Sequence, residues 1–458
     1  MTEPVILWLR RDLRLGDQAA LLAACAEGPV VPVYVMDDET PGHRRMGAAS
    51  RWWLHGSLAS LAGDLRASGS RLVLRRGRAD EVLPALAREV GARRVHALHH
   101  YEPWWRNAER AIARVLDLVL HDGNYLHPPG LLKSGSGSPY RIFTPFWRAL
   151  RETMPPPEPM ARTDKIPAPS SWPASEHLDD WSLRPSSPDW ATGMAQAWQP
   201  GEQGALDRLE AFADSAGDYD VARNLPSVEG SSRLSPHLHF GEISPSLVWH
   251  RIARRDGRTE PYLRELAWRD YAQTVILQHP RHGSANGRAQ FDDFPWRDLR
   301  EAAGDFEAWK RGRTGYPIVD AGMRQLWTTG WMHNRVRMIA ASFLVKHLLI
   351  DWRHGEQWFW DTLIDADYGN NSVNWQWVAG TGIDSSMFVR IMAPLGQSAK
   401  FDAADYIRRW VPELAGLPDG VVHDPESHGF RPSGYPARII DHRAARERAL
   451  SAYATVRA

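Results

Sequence analysis

The first 122 residues alternate between two hydrophobic periods, and this alternation restricts the fold more than any other feature of the chain. The segments "VILWL", "VVPVYVM", "RLVLR" and "RRVHALHH" are short runs rich in β-branched residues, which is typical of buried strands. Amphipathic stretches of helical length, such as "AASRWWLHGSLASLAGDLRASG" and "ADEVLPALAREVG", lie between them. This order favours βαβ units and a parallel sheet. No G-x-G-x-x-G sequence opens these helices, so we expect a Rossmann-like domain that does not hold a dinucleotide in the usual way.

The middle of the chain changes character. Residues 151–200 contain ten prolines, which exclude a continuous helix or a central strand. Trp172, Trp181 and Trp190 provide apolar anchors, so we expect this connector to wrap over a surface.

From about Gly201 onward, apolar residues recur at spacings of three and four, and strand-like alternation is nearly absent. This pattern predicts an all-α half, including a helix over 331–352. We therefore predict an α/β domain at 1–130, a proline-rich connector at 131–200 and a helical domain at 201–458.

The overall charge and the cysteine content narrow the setting. The formal net charge is zero, which gives no argument for a nucleic-acid partner, although a locally basic groove remains open. The single Cys25 excludes an intrachain disulfide and is compatible with a reducing compartment. The N-terminal "MTEPVILWLRRDLRL" is neither a signal peptide nor a membrane span. We expect a cytoplasmic monomer without a membrane partner, and no metal site is predicted.

Tryptophan is unusually frequent, with 22 residues against 12 Tyr and 12 Phe. A large helical core explains most of these rings. It does not explain the tryptophans that stand beside Asn, Asp and Arg. The stretch "DADYGNNSVNWQWVAGTG" places such groups around Trp375 and Trp377.

Charged side chains in the predicted helix 331–352 suggest a second cluster. Asn334 and Met338 are four residues apart and share a face, whereas Arg337 lies off that face. Such an arginine is more often paired than solvated, and Asp365 or Asp367 would suit it.

The segment "SSRLSPHLHFG" is a candidate anion site. Ser231, Ser232 and Ser235, with Arg233, surround the start of a helix whose first turn holds Pro236. Hydroxyls, backbone donors and an arginine at this position favour a phosphate. A serine-capped helix without a ligand remains the alternative.

The segment "YLRELAWRDY" places Glu265, Trp268 and Arg269 on one patch of a helix. A surface ion pair four residues apart explains the two charges. It does not explain the tryptophan between them.

Together these stretches resemble the photolyase/cryptochrome family of blue-light flavoproteins. The resemblance covers nearly the whole chain, through "LWLRRDLRLGDQAAL", "YRIFTPFWRAL", "SSRLSPHLHFGEISP", "GYPIVDAGMRQLWTTGWMHNRVRM", "DADYGNNSVNWQWVAGTGID" and "KFDAADYIRRWVPEL". Members of this family have an N-terminal α/β domain, a long connector and a C-terminal helical domain that holds FAD in a U shape. The resemblance therefore implies the same architecture as the periodicity does.

The resemblance also implies a set of FAD contacts. Arg337 would pair with Asp365 over the flavin, Asp367 would approach the ribityl chain or the ring edge, and Asn371 would face flavin N5. A neutral amide tolerates an anionic reduced flavin there, whereas an acid would repel it. The phosphates and ribose would contact Tyr219, Ser231, Ser232, Arg233, Leu234 and Ser235.

The resemblance assigns further residues to electron transfer and to DNA. Trp375, Trp352 and Trp296 match the tryptophan chain that reduces the flavin on illumination. Trp377 would pack on a flipped-out pyrimidine dimer, and Glu265 would hydrogen-bond the pyrimidine edge. The remaining lesion and DNA contacts would be Trp268, Arg269, Asn334, Arg335 and Met338.

The implied function is light-dependent repair of cyclobutane pyrimidine dimers in damaged DNA, a carbon–carbon lyase reaction driven by an electron from excited reduced FAD. The methionine at Met338 suits a cyclobutane dimer, since (6-4) photolyases carry a second histidine there. A (6-4) photolyase, a blue-light signalling cryptochrome and a flavin-free protein with a Trp-rich core are the alternatives. Trp104 and Trp105 replace the usual folate contacts in "HHYEPWWRNAERA", so a folate, a deazaflavin or no antenna chromophore remains possible.

Overall fold

The computed structural model describes residues 3–255 and 258–456, so the outer ends of the two predicted domains, 1 and 458, lie outside the described residues. The described chain divides into two compact units. The first unit contains described residues of 1–191, 195–217 and 232–280. The second unit contains those of 192–194, 218–231 and 281–458.

The sheet of the first unit is parallel throughout and has the strand order β3-β2-β1-β4-β5. Its strands are β1 (Val5–Leu9), β2 (Val30–Met36), β3 (Val73–Arg76), β4 (Arg94–Leu98) and β5 (Asp117–His121). The four strands predicted from β-branched runs are confirmed. The sequence analysis missed β5, which lies at the edge of the sheet and is only partly buried along its length.

The α-helices account for a little under half of the remaining described residues. They are α1 (Ala19–Glu27), α2 (Ala48–Ala67), α3 (Ala79–Val90), α4 (Pro103–Ile112), α5 (Phe143–Arg151), α6 (Thr192–Ala197), α7 (Glu202–Ala213), α8 (Tyr219–Ala222), α9 (Ser235–Phe240), α10 (Pro245–Ala253), α11 (Glu260–Gln278), α12 (Ala303–Lys310), α13 (Pro317–Thr329), α14 (Asn334–Ser342), α15 (Trp352–Thr362), α16 (Tyr368–Ala379), α17 (Pro394–Lys400), α18 (Ala404–Trp410), α19 (Asp419–Val422) and α20 (His442–Ala454). None of the helices in the described residues combines the length and the apolar character that crossing a bilayer requires.

The proline-rich connector packs along the first unit. Trp181 is buried with its ring centroid 6.0 Å from that of Tyr34, and Trp172 packs against the core of the sheet. The backbone N–H of Val30, at the start of β2, donates to the carbonyl of Pro167 at 2.7 Å. The prediction that this segment wraps over a surface is therefore confirmed.

The prediction of one continuous helix over 331–352 is wrong in its extent. The side chains of His333 and Asp351 accept hydrogen bonds from backbone N–H groups at 3.2 Å and 3.0 Å, so they cap the starts of two separate helices, α14 and α15. Between them lie a π-helical turn, Phe343–His347, and Leu349 in the left-handed region at φ +51°. Such turns often occur at functional sites.

Candidate functional site

The polar stretch that surrounds Trp375 and Trp377 forms α16 in the second unit. The carboxylate of Asp367 caps this helix by accepting the backbone N–H of Asn370 at 2.7 Å. Asn371 and Trp375 lie on its buried face, whereas Trp377 is half-buried. The helix therefore carries a polar amide and an indole ring into the interior of the unit.

Asn371 is held in one orientation by Glu356 of α15. Its Nδ2 donates to the backbone carbonyl of Glu356 at 3.0 Å and to the side-chain Oε1 at 2.9 Å. A backbone carbonyl can only accept, so the amide cannot be flipped without losing this bond. Both Nδ2 hydrogens are used, and Oδ1 is left as the acceptor that this residue can offer to another group.

The sequence analysis missed Glu356, although the sequence contains a signal for it. Glu356 lies four residues after Trp352 and four before Trp360, so it shares their face of α15. All three residues are buried. A glutamate in the middle of an apolar helix face needs a hydrogen-bonding partner, and Asn371 is that partner.

Arg337 and Asp365 form the ion pair that the family resemblance implied. Two parallel bonds join the guanidinium to the carboxylate, at 3.1 Å and 2.9 Å, and the Asp365 side chain is only 4% exposed. The Nε of Arg337 donates to the carbonyl of Met332 at 2.7 Å. We call this doubly bonded ion pair the charged fork. The backbone N–H of Asp367 donates to the carbonyl of Asp365, which holds the fork beside the start of α16.

Trp375 is tightly packed. Its ring lies edge-on to Phe359 and Trp309, with centroid distances of 5.0 Å and 6.3 Å. Gly355 faces the same ring, and a Cβ atom at this position would overlap it. The sequence analysis did not single out Trp309 or Gly355, since only the folded chain shows that they enclose Trp375.

The other two tryptophans of the predicted electron chain differ in burial. Trp352 is fully buried and donates from Nε1 to the Oδ1 of Asn286 at 3.0 Å. Trp296 is half-buried, with its ring centroid 4.3 Å from that of Phe294. Burial therefore decreases from Trp375 and Trp352 towards Trp296.

A basic region lies around Arg335 in the second unit. Burial, and then the charges of Arg223 and Arg390, lower the pKa of the Arg335 guanidinium, which lies 4.4 Å from the ring centroid of Phe401. The predicted DNA-contact residue Asn334 is exposed beside Arg335.

Three further residues complete this side of the second unit. Met338 is half-buried, and the guanidinium of Arg223 lies 5.1 Å from the ring centroid of the buried Tyr219. Ser231 is half-buried. Tyr219, Arg335 and Arg337 therefore all lie in the second unit.

The turn that follows α16 was missed by the sequence analysis. Met387 is 70% exposed and Val389 is 42% exposed, and Arg390 is also exposed. Exposed apolar side chains next to an arginine are suited to contact with nucleic-acid bases and phosphates. The only sequence signal was the short apolar run Met387, Phe388 and Val389 in "SSMFVR", which is too short to show a regular period.

The first unit contains the rest of the predicted phosphate site. Arg233 is left-handed at φ +51°, and Leu234 follows in the right-handed region, a succession that turns consecutive backbone N–H groups into an anion-binding nest. The Oγ of Ser232 accepts from Leu234 N at 3.3 Å and from Tyr262 Oη at 3.1 Å. Ser235 is exposed at the start of α9.

A buried acid holds α9 in place. Nδ1 of His237 lies 2.5 Å from one carboxylate oxygen of Glu242, and the other oxygen accepts from Trp53 Nε1 at 3.0 Å and Gly201 N at 2.8 Å. The nest therefore rests on a rigid support within the first unit. The sequence analysis did not identify this support.

Helix α11 carries the remaining predicted residues. Trp268 stacks on Phe143 with a centroid distance of 3.5 Å, and Glu265 is half-buried one turn earlier. The Arg269 guanidinium donates to the carbonyl of Leu238 at 3.1 Å and lies 4.4 Å from the ring centroid of Tyr125. It also donates to the carbonyl of Asn124, so Arg269 is bound firmly within its own unit.

Comparisons with known proteins agree with this combination of an α/β sheet domain and a helical region with a buried amide. Residues 5–169 match the family described as DNA photolyase, and residues 262–455 match the FAD binding domain of DNA photolyase.

Individual relatives cover the whole chain. The chain is 46% identical to a deoxyribodipyrimidine photo-lyase of Agrobacterium fabrum, over 100% of this chain and 98% of that protein. It is 35% identical to Cryptochrome-2 of Arabidopsis thaliana, over 93% of this chain and 73% of that protein. A crystal structure of a bacterial class III photolyase from Agrobacterium tumefaciens superimposes with a TM-score of 0.94, at 46% identity, over 100% of this chain and 98% of that one.

The fold and the match to an FAD-binding domain define a flavoprotein of the photolyase type. The chain belongs to the photolyase/cryptochrome family.

The described residues fit FAD when each unit is considered separately. In the first unit, the nest at Arg233 and Leu234 has backbone N–H groups of the kind that bind a diphosphate, although that of Leu234 also donates to Ser232 Oγ at 3.3 Å. In the second unit, the Arg337–Asp365 fork supplies charge, and Asn371 supplies a fixed amide oxygen. These are the donor and acceptor types that a flavin and its phosphates require.

Proposed function

We propose that this protein repairs cyclobutane pyrimidine dimers in DNA with light, by cleaving the two carbon–carbon bonds of the dimer ring. The observation that carries the proposal is the fixed amide of Asn371. By the resemblance this residue would lie opposite flavin N5, and Glu356 orients its amide so that it offers an oxygen and no charge. The identity of 46% to a deoxyribodipyrimidine photo-lyase over the full chain supports the same reaction.

The proposed FAD contacts follow from the geometry and the resemblance. Asn371 accepts a hydrogen bond through Oδ1, and Arg337 with Asp365 provides a charged fork. When bound, reduced FAD supplies, after absorbing light, the electron that opens the dimer and takes it back afterwards. The phosphate and ribityl contacts proposed from the resemblance are Tyr219, Ser231, Ser232, Arg233, Leu234, Ser235 and Asp367.

We propose Trp375, Trp352 and Trp296 as the path along which electrons reach the flavin from outside. Their burial supports Trp296 as the outermost member, since the first two are buried and Trp296 is half-buried. The side-chain packing of Trp375 against Phe359 and Gly355 keeps its ring in one position.

We propose that the lesion is bound by aromatic and polar side chains. Trp268, already stacked on Phe143, and the half-buried Trp377 offer ring faces for an extruded dimer. Glu265 holds the pyrimidine edge by a hydrogen bond, and Met338 gives apolar contact without a proton. The proposed phosphate contacts are Asn334, Arg335, Arg269 and Arg390, of which Arg269 also holds the segment after β5.

A direct assay tests the reaction and the choice of lesion. Flavin-loaded, reduced protein is mixed with two oligonucleotides, one carrying a thymine dimer and one a (6-4) product, in the dark and under blue light. We expect thymine pairs to be restored only from the dimer and only in light. Repair of the (6-4) product instead would make this protein a (6-4) photolyase. Light-driven change of the flavin without repair of either lesion would favour a signalling role.

Several coarser features remain proposals of the same kind. We propose that the protein works as a monomer in the cytoplasm. We also propose that residues 1–130 act as the antenna-type domain, residues 131–200 as the connector and residues 201–458 as the FAD- and lesion-binding domain.

A folate or deazaflavin antenna remains a prediction. Trp105 packs edge-on to Trp8 at 6.0 Å in the core, and Trp104 is buried, so both rings contribute to the packing of the first unit. Absorption of the purified protein after subtraction of the flavin spectrum tests for the second chromophore.

A further inference from the structure

Lys346 is a fully buried lysine in the π-helical turn of the second unit. Its side chain is 0% exposed, and burial lowers its pKa well below the usual value for lysine. Among the described residues, Lys346 has no carboxylate partner. Burying a charged group without a counterion is costly, so packing alone does not account for a lysine at this position.

The surroundings of Lys346 satisfy an ammonium group in a different way. Nζ donates to the carbonyl of Ala379 at 2.7 Å and to the carbonyl of Phe388 at 3.1 Å. It also lies 3.4 Å from the ring centroid of Phe388. An ammonium has three N–H donors, and two carbonyls with one ring face accept all three.

These contacts join two parts of the second unit that carry residues proposed to contact DNA. Ala379 is the last residue of α16, which ends at Gly380 in a left-handed conformation with φ +85°. Phe388 lies in the turn beyond it. The backbone N–H of Ser386 donates to the carbonyl of Trp377 at 3.2 Å, which ties the turn to α16 a second time.

Phe388 also sets the direction of its neighbours. Its ring is buried against Phe294 and Tyr453, with centroid distances of 5.0 Å and 4.9 Å. With Phe388 drawn inward by this cluster and by Lys346, Met387 and Val389 on either side face outward and are exposed. Phe388 therefore holds the turn in place, and Met387 and Val389 are exposed to solvent.

We propose that Lys346 is a positioning residue for recognition of the lesion. It clamps the end of α16, which bears Trp377, to the turn that bears Met387 and Arg390, so that these three side chains form one rigid edge for damaged DNA. Lys346 itself touches neither DNA nor cofactor. The proposal rests on the proposed function, because the edge has this purpose only in a protein that binds a pyrimidine dimer.

The proposal predicts a loss of discrimination rather than a general loss of binding. A turn that is free to move must be ordered each time the lesion is bound, whereas phosphate contacts elsewhere are unaffected. Lys346→Met keeps most of the length of the side chain and removes all three donors. Lys346→Gln introduces an amide with two N–H donors for the two carbonyls, and so it should retain part of the discrimination.

The experiment compares dissociation constants for a duplex with one thymine dimer and for the same undamaged duplex. Flavin-loaded wild type, Lys346→Met, Lys346→Gln and the control Lys310→Met are measured together with flavin content. Lys310 is half-buried and forms an ion pair with Glu307 of its own helix at 2.6 Å, so its removal should change neither constant. The preference for the lesion is the dissociation constant for the undamaged duplex divided by that for the dimer duplex. For Lys346→Met we expect this ratio to fall about tenfold with unchanged flavin content, and the ratio for Lys346→Gln should lie between those of Lys346→Met and the wild type.

Three results would overturn the proposal. The first is an unchanged ratio in flavin-loaded Lys346→Met. The second is a ratio that falls only in proportion to lost flavin. The third is failure of both Lys346 variants to yield folded, flavin-loaded protein, which would assign this lysine to folding alone. A wild-type protein that shows no preference for the dimer would instead contradict the proposed function, so the two failures can be distinguished.

Discussion

Replacing Asn371 by aspartate tests the environment of the fixed amide. In the wild type, Nδ2 donates to the carbonyl and the carboxylate of Glu356 at 3.0 Å and 2.9 Å. Asn371→Asp places an acceptor opposite these acceptors. The two carboxyl groups must then share a proton or repel each other, so the pKa of the introduced carboxyl is raised in the folded protein.

The magnitude follows from the geometry. Losing one hydrogen bond costs about 1 kcal/mol. Repulsion between carboxylates about 4 Å apart costs about 4 kcal/mol at an effective dielectric constant of about 20. Keeping one proton avoids this repulsion and costs about 1.4 kcal/mol per pH unit above an ordinary pKa of about 4. We expect the variant to be less stable than the wild type by about 2 kcal/mol at pH 5 and about 5 kcal/mol at pH 8.

The sign of the pH dependence distinguishes this mechanism from simple loss of packing. A carboxyl whose pKa is raised on folding destabilises little below its unfolded pKa, and the penalty grows as the pH rises towards the folded pKa. Thermal unfolding of variant and wild type at a series of pH values measures the difference. The matched control is Asn374→Asp on the exposed face of the same helix, which should stay close to the wild type. A deficit for Asn371→Asp that is independent of pH would refute the reasoning.

Three further perturbations test other parts of the structure. Asp365→Asn leaves the Arg337 guanidinium without its carboxylate, so we expect a loss of about 3 kcal/mol in thermal unfolding and a lower FAD-to-protein ratio; unchanged FAD content would contradict the assigned pairing. Arg390→Gln should reduce the slope of log binding constant against log salt concentration by about 1, and an unchanged slope would remove Arg390 from the DNA surface. Burial, and then the neighbouring His442, lowers the pKa of His347 to about 3, so His347 opposes folding as the pH falls below its ordinary pKa. The wild type should therefore lose about 2 kcal/mol from this group between pH 7 and pH 5, His347→Gln should lose less, and equal losses would contradict this role.

The parts of the fold that follow from local periodicity were predictable. Four of the five strands and the long helices α2, α3 and α11 match their hydrophobic patterns. The edge strand β5 escaped because partial burial weakens its pattern. The break between α14 and α15 escaped because the apolar run "IAASFLVKHLLI" is buried on all sides and carries no period. A left-handed leucine at Leu349 could not be read from such a run.

The candidate site shows the same division. Complementary charge predicted an acidic partner for the half-buried Arg337 but left Asp365 and Asp367 open, and only the family resemblance selected Asp365. The partner of Asn371 was not, because Glu356 is fifteen residues away and only packing of α15 on α16 brings the two together. The role of Lys346 could not be predicted either, because its position in an apolar run does not indicate which carbonyls accept its hydrogen bonds.

The central claim is that light absorbed by FAD held in this protein splits the pyrimidine dimer. Its most direct test is the action spectrum of dimer splitting, compared with the absorption spectrum of the same reduced protein. Both spectra are measured before FAD is removed, after its removal and after reloading. We predict that splitting follows the absorption of the bound chromophores, stops when FAD is removed and returns when it is restored. Splitting that continues without FAD, or FAD-loaded and illuminated protein that leaves dimers intact, would contradict the account.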